Sequence, residues 1–126
     1  MKPRILIVDD HDDFRTLIKD YLNSQGLNLE IFEASTGEMG VTKASCVKPD
    51  IVLMDVSLPN ANGILAAKHI KEDNPNCDVI ILTVFEVKAF KRNAQEIKVR
   101  DFIGKNEVYD RLIPVIKRCL KEKIRK

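Results

Sequence analysis

Short apolar runs alternate with helix-like segments five times along this chain. Ile5–Val8, Ile51–Met54 and Val79–Leu82 are continuous apolar runs, which are typical of strands buried on both faces of a parallel sheet. Between them, residues such as Phe14, Leu17, Ile18 and Leu22 recur at the spacing of one helix face. The pattern predicts a (βα)5 α/β domain, in which a five-stranded, doubly wound parallel sheet lies between two helical layers as a three-layer α/β/α sandwich.

The boundaries of these elements follow from turn and cap signals. The predicted strands are Arg4–Val8, Leu27–Ala34, Asp50–Met54, Asp78–Leu82 and Arg100–Ile103. The predicted helices have an apolar face over Phe14–Leu22, then cover Gly37–Val47, Gly63–Asp73 and Glu86–Gln95, and end with an apolar face over Val108–Leu120. We expect Asn106 to cap the last helix and Pro114 to leave an irregularity in it without breaking it.

Size and composition define a globular domain. We expect the 126 residues, 44% hydrophobic and 32% charged, to form one domain over residues 1–126. Cys46, Cys77 and Cys119 are odd in number and far apart, which favours free thiols in a reducing compartment over a metal or redox site. Because no segment resembles a signal peptide or a membrane span, we expect a cytoplasmic protein without a membrane partner.

The net charge of +2 is unevenly distributed. Residues 1–97 carry 11 basic and 15 acidic side chains, whereas residues 98–126 carry 10 basic and 4 acidic ones. Basic residues near the end of a helix are favoured by its dipole, and the other face of the last helix is apolar. We therefore expect no direct binding of nucleic acid, although the basic end could begin a linker to an effector domain.

Polar residues follow four of the predicted strands directly. Asp9 and Asp10 follow the first, Asp55 the third, Thr83 the fourth and Lys105 the fifth. Ligands of open α/β sheets bind outside the carboxyl ends of the strands, so we expect these side chains to share one edge. Two carboxylates about 4 Å apart repel by about 4 kcal/mol at an effective dielectric constant of 20. The clustered acids therefore predict a cation with oxygen ligands, Mg²⁺ or Mn²⁺.

The same set of residues is suited to phosphoryl chemistry. Lys105 and Thr83 offer an ammonium and a hydroxyl that can bind phosphoryl oxygens. Asp55, at the switch point of the sheet, is the natural nucleophile, because a carboxylate that attacks a phosphoryl group gives an acyl phosphate. Asp12 and Asp13 are better explained as acids in the first turn of a helix.

Four motifs in this chain match a known family. They are Val8-Asp9-Asp10-His11, the segment from Asp55 to Gly63, Leu82-Thr83, and the segment from Phe102 to Lys105. In this order and spacing, the chain resembles a response-regulator receiver domain of two-component signalling over essentially its whole length. The resemblance implies the flavodoxin-like strand order 2-1-3-4-5.

The resemblance also implies site roles. Asp55 would accept a phosphoryl group, and Asp10 and Asp55 would bind Mg²⁺ directly with the Ser57 backbone carbonyl, while Asp9 would act mostly through water. Thr83 and Lys105 would contact the phosphoryl oxygens.

Phosphorylation would then draw Thr83 inward and let Phe102 rotate into the space that opens. That movement would reshape the surface of the fourth helix, the fifth strand and the fifth helix. Physically, it is a population shift biased by a doubly charged group.

The implied partners are a sensor histidine kinase or phosphotransfer protein as phosphodonor, and an output domain or downstream protein. The output could be a helix-turn-helix domain missing from this chain. A monomer or a weak, phosphorylation-linked dimer is expected, and the protein would be a switch with at most slow autodephosphorylation rather than an enzyme.

Three positions depart from the family pattern. The turn at Lys98–Asp101 is bulkier and more charged than the small residues usual there. Val84 stands where a smaller residue is usual and could narrow access to Asp55. Asn106 replaces the proline that commonly follows the lysine, which argues against a cis peptide at Lys105–Asn106.

Two alternatives remain open. Asp10-His11-Asp12 has the D-x-D form of haloacid-dehalogenase-type phosphatases, in which Asp10 would be the nucleophile. No second acidic pair follows Lys105, however, and the chain has no cap insertion. The other alternative is a pseudo-receiver that is never phosphorylated and acts as a docking module.

Overall fold

The structure of the chain is a computed structural model, and it describes residues 2–56, 61–83 and 98–124. Ser57, Val84 and the predicted helix Glu86–Gln95 lie outside these ranges. Five strands form one parallel sheet in the order β2-β1-β3-β4-β5, which confirms the predicted topology. The strands are β1 (Arg4–Val8), β2 (Glu30–Ala34), β3 (Ile51–Asp55), β4 (Asp78–Thr83) and β5 (Asp101–Gly104).

Helices cover both faces of this sheet. They are α1 (Asp12–Asn23), α2 (Gly37–Val47), α3 (Ala61–Asp73) and the C-terminal helix (Val108–Ile124), which follows a 3₁₀ turn at Lys105–Glu107. The C-terminal helix runs through Pro114 without a break, as predicted. None of the helices in the described part of the chain combines the length and apolar character that a membrane span requires.

Two buried clusters hold the three layers together, one on each face of the sheet. Alternate strand residues point to opposite faces, so Leu6 and Val52 pack with α2 and α3. Their neighbours Ile5 and Leu53 pack instead with α1 and the C-terminal helix. Nearly continuous burial along β1, β3 and β4 is the reason why these strands read as unbroken apolar runs in the sequence.

The predicted bounds of β3, α3, β4 and β5 differ from the observed ones by one or two residues, and two further predictions were wrong. β2 begins at Glu30 rather than Leu27, because Gly26 and Asn28 both have left-handed backbone angles, with φ of 68° and 54°, that a strand cannot continue. Asn106 does not cap the C-terminal helix: it lies inside the 3₁₀ turn, and the α-helix starts only at Val108. The peptide between Lys105 and Asn106 is trans, since the described residues contain no cis bond.

Candidate functional site

The register of the sheet brings the predicted site residues to one edge. Asp55 ends β3, and it pairs with Leu82, the residue before Thr83 at the end of β4. Thr83 pairs in turn with Gly104, directly before Lys105. Asp9 follows β1, and its backbone N–H donates to Ala34 O at 3.0 Å. The carboxyl ends of four strands therefore converge on one site, as expected for a doubly wound sheet.

An ammonium lies between two buried carboxylates at the centre of this site. Lys105 Nζ is 3.1 Å from Asp9 Oδ2 and 2.9 Å from Asp55 Oδ1. The side chains of Asp9 and Asp55 are 1% and 3% exposed, and that of Lys105 is 11% exposed. Because water screens these charges little, the ion pairs hold Lys105 and Asp55 in a defined arrangement.

The two consecutive acids after β1 have different surroundings. The second oxygen of Asp9, Oδ1, accepts a hydrogen bond from the backbone N–H of His11 at 2.8 Å. The side chain of Asp10 is 66% exposed, and its Oδ1 lies 3.0 Å from His11 Nδ1. The side chain of Asp9 is thus held inside the site, whereas the carboxylate of Asp10 lies at its solvent-exposed edge.

Arg15 fastens the start of α1 to the site. It donates to the backbone carbonyl of Asp9 at 2.6 Å and contacts the carboxylates of Asp12 and Glu33 at 2.6 Å and 3.0 Å. The hydrogen bond to Asp12 contributes most to raising the pKa of Arg15, so this guanidinium stays charged. Asp12 and Asp13 lie in the first turn of α1, where the helix dipole favours acids, as the sequence predicted for both.

The acids and His11 form a group that suits a divalent cation. Asp9, Asp10, His11 and Asp55 each offer one ligand atom, and these four atoms lie within 4.8 Å of one another. Opposite ligands of an octahedral Mg²⁺ are about 4.2 Å apart, so small side-chain movements suffice to bring them together. Three carboxylates and the Lys105 ammonium sum to a charge that one divalent cation neutralises. The donor set therefore fits a divalent metal ion.

The remaining predicted residues are placed as follows. Thr83 is fully buried at the site. Phe102 is half-buried and packs against the cluster on the α2 and α3 face, and its carbonyl accepts from Arg111 Nη1 at 2.9 Å. The Ser57 carbonyl and Val84 lie beyond the ranges that the structure describes.

Ion pairs link the atypical segment Lys98–Asp101, which leads into β5, to the C-terminal helix. Arg100 forms an ion pair with Glu122, and Asp101 forms one with Arg111. Lys98 is exposed and has a left-handed backbone angle, with φ of 56°. Two of the charges that make this turn unusual in sequence are thus matched by opposite charges on the adjoining helix.

His11 is the candidate ligand that our sequence reasoning missed. In the sequence His11 is only one member of a matching motif, yet in the structure its Nδ1 lies 3.0 Å from Asp10 Oδ1 and 3.3 Å from Asp9 Oδ1. The available signal was its position directly after Asp9 and Asp10, where the chain turns into α1. A residue at such a turn can reach the same point as the acids before it.

The parallel sheet order and the polar carboxyl edge define a flavodoxin-like α/β protein. The family model of the response regulator receiver domain matches residues 5–117. The chain therefore belongs to the response regulator receiver domain family of two-component signalling, as the motifs predicted.

Known proteins are similar over most of this length. The chemotaxis protein CheY of Thermotoga maritima is 34% identical over 121 residues, covering 96% of this chain and all of that protein. The response regulator protein VraR of Staphylococcus epidermidis is 38% identical over 85 residues, which cover 68% of this chain and 41% of that protein. The response regulator domain of Thermotoga maritima CheB has a TM-score of 0.82 and 30% identity, covering 96% of this chain and 98% of that domain.

Proposed function

We propose that this chain, as a single receiver domain over residues 1–126, accepts a phosphoryl group on Asp55. The donor is a phosphohistidine of a partner histidine kinase or phosphotransfer protein. The observation that carries the proposal is the position of Asp55, a buried carboxylate at a strand end with the Lys105 ammonium 2.9 Å away and other acids close by. Family membership supports a phosphoacceptor switch rather than an enzyme with turnover.

The transfer step is an attack of an Asp55 carboxylate oxygen on phosphorus. An O–P bond forms, the N–P bond of the phosphohistidine breaks, and its electron pair returns to the imidazole of the donor. Lys105 and Thr83 bind oxygens of the transferred group, and Lys105 neutralises part of their charge. Because Asp9 also pairs with Lys105, it keeps the ammonium at the site before and after transfer.

A divalent cation would balance the negative charge of the carboxylates that the Lys105 ammonium does not neutralise. Asp10 and Asp55 would hold Mg²⁺, or Mn²⁺, together with the Ser57 carbonyl, and Asp9 would act through water. When bound, the cation supplies charge neutralisation at the phosphoryl oxygens.

The output follows from a change in packing. Thr83 moves toward the phosphoryl group, and Phe102 rotates into the space that opens, which alters the surface that includes β5 and the C-terminal helix. The half-buried position of Phe102 supports such movement. The altered surface acts on an output domain or downstream protein. The protein does so as a monomer or as a weak dimer.

Incubation with phosphoramidate, a small N–P donor, and Mg²⁺ tests the proposal. We expect the mass of the intact protein to rise by one phosphoryl group, and we expect Asp55→Asn to abolish the increase. Asp20→Asn, which changes an exposed acid on α1, is the matched control and should label normally.

Two results would contradict the proposal. Labelling that survives in Asp55→Asn, with repeated turnover that depends on Asp10, would indicate a phosphatase that uses Asp10. No labelling, together with no binding of the phosphoryl mimic beryllofluoride, would indicate a docking module that is never phosphorylated.

A further inference from the structure

We propose that His11 is an additional metal ligand of this site, so that the site binds Mn²⁺ and later first-row divalent cations more tightly than Mg²⁺. The inference rests on the proposed function in one respect, that Asp10 and Asp55 hold a cation directly and Asp9 acts on it through water. It adds a nitrogen donor to an all-oxygen site and so changes which cation the site selects.

The position of the His11 ring carries the proposal. His11 Nδ1 lies 3.0 Å from Asp10 Oδ1 and 3.3 Å from Asp9 Oδ1. A metal ion placed among these three atoms would therefore be within reach of all of them. The ligand atom of His11 is also within 4.8 Å of that of Asp55, so one ion can reach all four residues.

The backbone of His11 is fixed beside the acids, whereas its side chain takes no part in capping α1. The backbone N–H of His11 donates to Asp9 Oδ1 at 2.8 Å, which fixes the residue beside the acids. His11 is the N-cap of α1, but its side chain makes no capping hydrogen bond. The ring is 61% exposed, so it can adjust its orientation to a cation at little cost.

Ligand chemistry then predicts the selectivity. Mg²⁺ prefers oxygen ligands and keeps several waters, so an imidazole adds little to its affinity. Mn²⁺ and the metals after it accept imidazole nitrogen, with affinities that rise along the series to Cu²⁺. With the imidazole added, the site should therefore favour Mn²⁺ over Mg²⁺ more strongly than the carboxylates alone would.

Electron paramagnetic resonance of bound Mn²⁺ provides a direct test, because nitrogen bonded to Mn²⁺ modulates the electron spin echo. His11 and His69 are the two histidines of the chain, and His69 lies exposed on α3. We expect ¹⁴N modulation of the imidazole type in the wild-type protein and in His69→Ala, and its loss in His11→Ala.

Calorimetric titration with each cation measures the selectivity. We expect His11→Ala to weaken Mn²⁺ binding about tenfold and to change Mg²⁺ binding by less than about twofold. Circular dichroism of His11→Ala checks that the fold is retained. The electron spin echo spectrum of the wild-type protein tests for the nitrogen ligand without any substitution.

Each outcome separates this inference from the function on which it rests. Bound Mn²⁺ without ¹⁴N modulation, or equal loss of both cations in His11→Ala, would overturn the role of His11 and leave the carboxylate site intact. If the wild-type protein bound neither cation, both the additional ligand and the metal dependence of the proposed function would be wrong.

Discussion

The ammonium of Lys105 lies over the face of the Phe14 ring, 4.0 Å from its centroid. Phe14 belongs to α1, and Lys105 follows β5, so this cation–π contact joins two elements that are distant in sequence. It is a third contact of Lys105, beside those to Asp9 and Asp55. Phe14 therefore helps to hold the ammonium at the site.

Replacing Phe14 with leucine should loosen Lys105. A partly desolvated cation–π contact is worth about 1 kcal/mol, so we expect Phe14→Leu to lower the free energy of unfolding by at least that amount. Phe14→Tyr keeps the ring face and should cost less. Urea unfolding of Phe14→Leu, Lys105→Met and the double variant measures the coupling, which should be about 1 kcal/mol, and additive effects would show that the contact contributes nothing.

Removing the Lys105 charge should destabilise the protein more than replacing Phe14 with leucine does. Lys105→Met leaves the carboxylates of Asp9 and Asp55 buried without the ammonium between them, which should cost about 3 kcal/mol. The matched control is Lys19→Met, because Lys19 is 43% exposed in its ion pair with Glu33 and should contribute less than about 1 kcal/mol. Urea unfolding of both variants provides the comparison.

Two further measurements identify repulsion as the cause. Adding Asp55→Asn to Lys105→Met removes one of the two like charges, so part of the lost stability should return. Saturating Mg²⁺ should stabilise Lys105→Met more than it stabilises the wild-type protein, because the cation replaces the missing positive charge. Equal stabilisation of the two proteins would show that electrostatic repulsion is not the reason for the loss.

The sequence predicted best the elements that have clear signals at both ends. β1 and α2 have the predicted bounds, because a continuous apolar run and a helix between clear turn signals leave few alternatives. β2 was less well predicted, since its half-buried residues give only a weak alternation. The left-handed angles at Gly26 and Asn28 belong to the folded backbone, and no hydrophobic pattern encodes them.

The site shows the same division between local and tertiary information. Strand ends place Asp9, Asp55 and Lys105 at one edge, so their convergence was predictable from the alternation alone. The contact of Lys105 with Phe14 depends on how α1 sits against the sheet. Such contacts require three-dimensional packing, and a one-dimensional pattern does not contain it.

Gly40 allows α2 to pack closely on β1. A Cβ atom at this position would lie 2.8 Å and 3.1 Å from the two γ-carbons of Val8. Although alanine is the better helix former, we expect Gly40→Ala to destabilise the protein by about 1–3 kcal/mol through overpacking. Thermal unfolding should show that Ser45→Ala, on the exposed face of α2, lacks this effect and that Val8→Ala partly rescues Gly40→Ala.

The three cysteines should differ sharply in reactivity. Burial raises the pKa of Cys77 and of Cys119 to about 12, so only about one thiol in ten thousand is ionised at pH 8 at either site. Cys46 is exposed. Because the thiolate is the reactive form, a disulfide reagent at pH 8 should modify one thiol of the native protein, and Cys46→Ser should abolish the reaction. Rapid modification of the native Cys46→Ser variant would contradict the burial of Cys77 and Cys119.

The same two thiols should make the protein less stable at alkaline pH. A thiol whose pKa rises from 9.0 to about 12 on folding favours the folded state fully below pH 9, where both states are protonated. Between pH 9 and about 12 the unfolded state loses its proton first, so the free energy of unfolding falls as pH rises. Replacing Cys77 and Cys119 with alanine should make that decline less steep, although the absolute stability also falls because of the cavities. Urea unfolding at a series of pH values measures the two slopes, and equal slopes would show that these thiols do not titrate in the unfolding reaction.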